Sequence, residues 1–211
     1  MARPALLDKL HWYVHDSFRL DGPPVIYLDP FHLPEGSPAA DLILVSHDHF
    51  DHCSLEDIKR IRRPTTVVVA NPSAAAKIKR PVTTLLPGQE TTVAGVRIEA
   101  VPAYNLDKPF HPREANGIGF VLTVAGERLY FAGDTDLIPE MTGLACDLAL
   151  LPVGGKYTMT AEEAARAAGT IHPKMAIPMH YGADVIGTRA DAETFRRHCS
   201  VPVTIFEVDA A

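Results

Sequence analysis

Short apolar runs bounded by turn residues organise this chain. Residues 11–20 mix aromatic, β-branched and polar side chains as a pair of strands does. Asp21-Gly22-Pro23-Pro24 is a strong turn signal, and residues 25–28 read as the returning strand, closed by Asp29-Pro30. A proline-rich surface loop over 30–38 leads into a strand over 41–45, apolar from Leu42 to Val45 and so read as buried. Ser54 is placed to cap a helix with Asp57 at its third position, and Pro64 should stop it. Residues 65–70 form the next β-rich run, and Asn71-Pro72 opens a second helix with proline at its first position.

The second half continues in the same style. Residues 82–85, 91–93 and 96–101 read as short strands, the last two joined by Ala94-Gly95. Residues 117–124 and 128–131 bracket a hairpin turn at Ala125-Gly126-Glu127, and 147–151 is a continuous apolar strand. Thr160 and Glu163 form a capping box for a helix to about Ala168. A strand over 174–178, a helix over 191–198 and a last strand over 203–208 complete the chain. No linker interrupts the pattern, so residues 1–211 read as one α/β domain. Two sheets packed face to face with helices outside, a four-layer αββα sandwich, satisfy this grouping. The pattern alone also allows an ordinary α/β sheet.

Candidate chemistry is concentrated directly after the strand at 41–45. His47, His49 and His52, with Asp48 and Asp51, crowd the stretch Ser46-His47-Asp48-His49-Phe50-Asp51-His52. Imidazole nitrogens and carboxylate oxygens suit a borderline dication such as Zn²⁺, with Mn, Ni and Fe as alternatives. At a strand end the chain turns, so side chains two apart can converge on one point.

His47-x-His49-x-Asp51-His52 resembles the signature of the metallo-β-lactamase fold hydrolases. Phe131-Ala132-Gly133-Asp134-Thr135 and Ile177-Pro178-Met179-His180-Tyr181-Gly182 match later segments in order. The nearest flavour is the branch with ascorbate-6-phosphate lactonase and the phospholipase D that cleaves N-acyl-phosphatidylethanolamine. The resemblance implies the αββα sandwich and two divalent ions. His47 and His49 would serve one ion and Asp51 and His52 the other, with Asp134 bridging and His180 completing the second. Asp51 and His180 are thus the catalytic candidates. The first ion's third histidine is harder to place, because Asn105 stands where some relatives have histidine. His111, six residues on, is expected to reach back; otherwise that ion has two histidines and Asp134. The branch often has a histidine near the metals at the place of His15, which could orient a ligand or meet substrate, or serve only the core or surface.

Tyr104, Asn105, Tyr157 and Tyr181 are candidates to line the pocket and contact substrate. Asp136 is expected to cap or support, and His11, His32, His172 and His198 lack motif support. A water between two dications ionises readily, since a single Zn²⁺ lowers its pKa to about 7. Attack on an ester, lactone or phosphodiester follows. No Gly-x-Ser-x-Gly elbow is present, and Gly154-Gly155-Lys156 lacks the preceding glycine of a phosphate-binding loop.

Composition narrows the partners. Of 211 residues 46% are hydrophobic and 22% charged, an ordinary globular balance with a single core's worth of chain. A net charge of −6 argues against nucleic acid, and bound dications would still admit an anionic small molecule. Lys108, Arg113 and Lys156 could rim such a site. Cys53, Cys146 and Cys199 form no C-x-x-C pair, which suits a reducing cytoplasm, and Cys53 should pack as a small buried residue. No stretch approaches the roughly 20 apolar residues of a membrane span. A homo-oligomer stays open. Two other functions compete with hydrolysis: iron-dependent oxygen or sulfur chemistry, and a non-catalytic metal-binding role.

Overall fold

The computed structural model describes residues 3–209. Its first sheet comprises β1 (Leu10–Val14), β2 (Ser17–Leu20), β3 (Ile26–Leu28), β4 (Ala40–Val45), β5 (Arg62–Ala70) and β6 (Thr83–Thr84), in that spatial order. The β1–β2 and β2–β3 pairs are antiparallel, while β3 to β6 run parallel. Helices α1 (Leu55–Ile61) and α2 (Pro72–Lys77) make the parallel crossovers. The second sheet is built likewise from β7 (Glu90–Val93), β8 (Val96–Pro102), β9 (Ile118–Val124), β10 (Glu127–Phe131), β11 (Leu148–Pro152) and β12 (Met175–Met179). Here β7 to β10 are antiparallel neighbours, and β10, β11 and β12 run parallel. Helix α3 (Ala161–Ile171) crosses between β11 and β12, and α4 (Arg189–His198) follows β12.

The four layers follow from which faces are apolar. In β4, Leu42 and Leu44 enter the large interior shared by both sheets, while Ile43 and Val45 face a second cluster with Ile58 and Ile61 of α1 and Ala74 of α2. A strand covered on both faces must be apolar at every position, which is why this run does not alternate. On the far side Ala164, Ala168 and Ile171 of α3 and Phe195 of α4 close the other outer layer. The chain is therefore the αββα sandwich that its sequence resembles.

Four local expectations need correction. Helix α1 ends at Ile61, and Pro64 lies inside β5, whose register against β4 shifts between Ala40 and Leu42 and so spares the missing donor. Helix α3 runs past Ala168 to Ile171, where His172 ends it in the left-handed conformation. Helix α4 begins at Arg189, with a capping box between Thr188 and Asp191. Residues 203–208 form no strand: only Val203 bridges Ala176, because Pro178, the next donor in register on β12, has no N–H, and Glu207 and Val208 lie exposed.

The parallel strands set the position of the site. Asp29 follows β3, the stretch 46–52 follows β4, Asp134 lies beyond β10, and His180 directly follows β12. All these are carboxyl ends of parallel strands, the edge where open α/β sheets gather their ligands.

Candidate metal centre

Two groups of donors meet at this edge. His47, His49, His111 and Asp134 form the first, with one ligand atom from each lying within 4.8 Å of all the others. His49 Nδ1 is 3.0 Å from His47 Nε2 and 3.1 Å from His111 Nε2. Two ligands at tetrahedral angles on a zinc, with bonds near 2.0–2.1 Å, sit roughly 3.3 Å apart, so these spacings suit one shared cation. The second group holds His52, His180 and Asp134, with His15 and Asp16 beside them. Asp134 belongs to both: Oδ2 is 3.2 Å from His111 Nε2 and 3.3 Å from His180 Nε2, while Oδ1 is 3.4 Å from His52 Nε2.

The surroundings orient the rings. Asp29 Oδ2 accepts from the His52 Nδ1–H at 2.8 Å, leaving Nε2 for the site, and Asp29 Oδ1 also accepts from the Ser46 amide at 2.7 Å. Ser46 Oγ is 2.9 Å from His47 Nδ1, and the Tyr157 carbonyl is 3.1 Å from His111 Nδ1. By sequence Asp29 only closes the strand at 25–28. Its one mark is its place directly after a parallel strand, as in the other site segments, which a turn aspartate shares.

His111 reaches the group, and Asn105 explains how. The Asn105 amide donates to the carbonyls of Phe110 (2.9 Å) and Tyr157 (2.7 Å), and its backbone N–H donates to the His111 carbonyl at 2.8 Å. Asp136 anchors the same loop by accepting from Leu106 N at 2.9 Å and from Lys108. Asn105 and Asp136 thus fold the 105–111 loop back onto the site.

The other aromatic candidates sit differently. Tyr104 is buried, its hydroxyl donating to Glu140 at 2.9 Å and its ring under the Arg113 guanidinium. Tyr181 is buried against Trp12, ring centroids 4.7 Å apart. Tyr157 is half-buried, edge-on to Phe110, with Lys156 over its ring. Cys53 packs in the outer cluster, where burial pushes its thiol up to about 12.

Electrostatics divide the rings into two kinds. Burial holds His47 well below the ordinary histidine range, and His111 is lowered for the same reason, so both are neutral donors. Burial acts against charge on His52 and His180 too, but the surrounding carboxylates together outweigh it and raise both, Asp134 and Asp16 at each and Asp29 also at His52. Asp51 would be raised by burial, yet His15 and His52 outweigh that and hold it at about 2. His52 Nε2 and Asp134 Oδ1 are buried without any hydrogen-bond partner. Orphaned donors converging from several strands are what a cation satisfies, so the residues fit a bound metal. The first group opens to solvent through His49, beside a cleft of about 80 Å³; the second is closed off.

Residues 9–180 match the β-lactamase superfamily domain. The chain belongs to that superfamily. Within it, the UPF0173 metal-dependent hydrolase of Thermoplasma acidophilum is 35% identical over 205 residues, covering 89% of both chains. The UPF0173 metal-dependent hydrolase of Methanoculleus marisnigri is 37% identical over 200 residues, covering 90% of this chain and 87% of its own. A crystal structure named for a metal-dependent hydrolase of Parabacteroides distasonis superposes with a TM-score of 0.85 at 33% identity, over 95% of this chain and 93% of that one. This β-lactamase superfamily member is therefore of the metal-dependent hydrolase kind. Among its described residues no helix is long and apolar enough to cross a membrane.

Proposed function

We propose that this chain hydrolyses a small-molecule ester, lactone or phosphodiester with two divalent ions, zinc first among the candidates. His47, His49 and His111 would hold one ion, and Asp51, His52 and His180 the other, with Asp134 shared. The observation that carries this reading is the position of Asp134, whose two oxygens face ring nitrogens of both groups. When bound, the ions would supply Lewis acidity and lower the pKa of a water near 7.

The chain's own residues supply the rest. Asp51, ionised down to about pH 2, can hold or accept a proton throughout the neutral range. His180 closes the buried group against Asp134 and is fixed by its own N–H donating to the His15 carbonyl at 3.1 Å. The solvent-facing side lies at His49, so substrate approaches there, past Phe50 and past Phe110 and Tyr157 with Lys156 beside them. Phe50, next to His49 in the chain, is 68% exposed and Phe110, next to His111, 39%, so each of these two ligands has an exposed apolar neighbour suited to a small organic group. Of the three cationic rim candidates, Lys108 is paired with Asp136 and Arg113 with Glu140. Lys156 is therefore the one we assign to an anionic substituent.

Elemental analysis tests the reading. Near two ions per chain are expected in the purified protein, and Asp134→Ala should lose at least one of them and about 10²-fold or more of the turnover of a lactone or phosphodiester, with the fold kept. Unchanged metal content in that variant would remove Asp134 from the centre. One iron per chain would instead favour oxygen chemistry.

A further inference from the structure

We propose that His15 is a direct ligand of the buried ion, which would then be held by three imidazoles as the solvent-facing one is. The inference rests on the two-ion reading above and adds a residue that reading leaves out. His15 sits in the tight connection between β1 and β2, away from the 46–52 stretch in sequence, and its side chain is fully buried. One ligand atom from each of His15, His52 and His180 lies within 4.8 Å of the others. The His15 ring centroid is 4.1 Å from that of His180 and 5.3 Å from that of His52.

The contact with Asp51 separates ligation from simple hydrogen bonding. His15 Nε2 is 3.2 Å from Asp51 Oδ2, yet neither His15 nitrogen has a hydrogen-bond partner. The distance is right and the direction is not. The same combination recurs where His52 Nε2 approaches Asp134 Oδ1 at 3.4 Å and both atoms lack a partner. Two donors close together but not aimed at each other are the arrangement of ligands aimed at a common third atom. The backbone holds the ring there. His15 adopts a left-handed φ of 55°, its N–H donates to the Tyr181 carbonyl at 3.0 Å, and its carbonyl accepts from the His180 N–H at 3.1 Å and the Trp12 indole at 2.9 Å.

The proposal also explains a contrast among the rings. His47, His52 and His111 each have the second nitrogen fixed by a neighbour, whereas Nδ1 of His15 and of His180 has none. On those two rings the far nitrogen has no neighbour to fix it, and the backbone holds them in place. His15, His52 and His180 would then hold the buried ion, as His47, His49 and His111 would hold the solvent-facing one.

Cobalt substitution counts the ligands. Each coordinated histidine gives one strongly shifted, solvent-exchangeable ring N–H signal in the proton spectrum of the cobalt protein. Three rings per group give six with His15 included, and five for His15→Gln, with binding of the buried cobalt weakened about ten- to a hundredfold or more. Five signals in the unsubstituted protein carrying two cobalt ions would overturn the assignment of His15 and leave the two-ion reading standing. Fewer than two cobalt ions per chain, even with excess added, would overturn both. The count on the unsubstituted protein does not depend on the variant folding.

Discussion

Asp147 shows how one carboxylate can hold strand ends together away from the site. It stands just before β11; one oxygen accepts the Arg128 N–H at 2.7 Å and the other meets Lys174 Nζ at 2.7 Å. Burial pushes its carboxyl up, but the Lys174 and Arg128 contacts outweigh that and hold it below the usual range. A depressed folded pKa means stability that is present above the unfolded value near 4 and is lost as pH falls through the folded one. Asp147→Asn should cost about 2 kcal/mol at pH 7, the scale of a hydrogen bond to a charged group. For a chain of this size that is a drop in thermal midpoint of roughly 4–8 °C. Melting both proteins at pH 7 and again below about pH 4 should show the gap narrowing. A gap of constant size would mean the charge contributes nothing.

At the scale of elements, the turn after β11 is where packing and chemistry touch. A Cβ built on Gly154 would lie 2.5 Å from His180 Nδ1 and 2.9 Å from the His180 carbonyl. Gly154→Ala should therefore displace His180 and lower metal content, with activity falling by about 10²-fold, the cost of a misplacement near 1 Å. Gly126 is the control. Its φ of +85° strains any side chain, but nothing lies within 4 Å, so Gly126→Ala should cost about 1 kcal/mol of stability and leave metal content alone. Equal metal content in both variants would show that His180 tolerates the crowding. These contacts also mark what the sequence could convey. The buried strand β4 and the capping box at Thr160 are local patterns, and both were legible. The fold of the 105–111 loop was not, because it depends on Asn105, Asp136 and Tyr157, residues far apart in the chain. Neither was the role of Asp29, since a lone aspartate after a strand reads equally well as a turn. The edge segment 203–208 has strand composition, and it is Pro178 on the neighbouring β12, without an N–H to give, that denies it a ladder.

At the scale of the molecule, the candidate metal centre lies where the two sheets meet. His15, His47, His49, Asp51 and His52 come from the first sheet and its connections; His111, Asp134 and His180 come from the second. Few backbone bonds join the sheets at this edge, among them Ile118 N–H to the Ser46 carbonyl at 3.3 Å and the two between His15 and the 180–181 segment. Bound ions would therefore act as clamps between halves otherwise held by their shared apolar interior. A ligand that binds only the folded state stabilises it by about 4 kcal/mol when its free concentration is a thousand times its dissociation constant. Stripping the ions with a chelator should thus lower the thermal midpoint by roughly 8–16 °C, and restoring zinc should recover it. Asp134→Ala provides the internal comparison, because a protein whose two groups no longer share a carboxylate should respond far less to the chelator. If the unsubstituted protein loses its ions and melts at the same temperature, the clamp contributes nothing. The apolar interior between the sheets would then carry the fold alone.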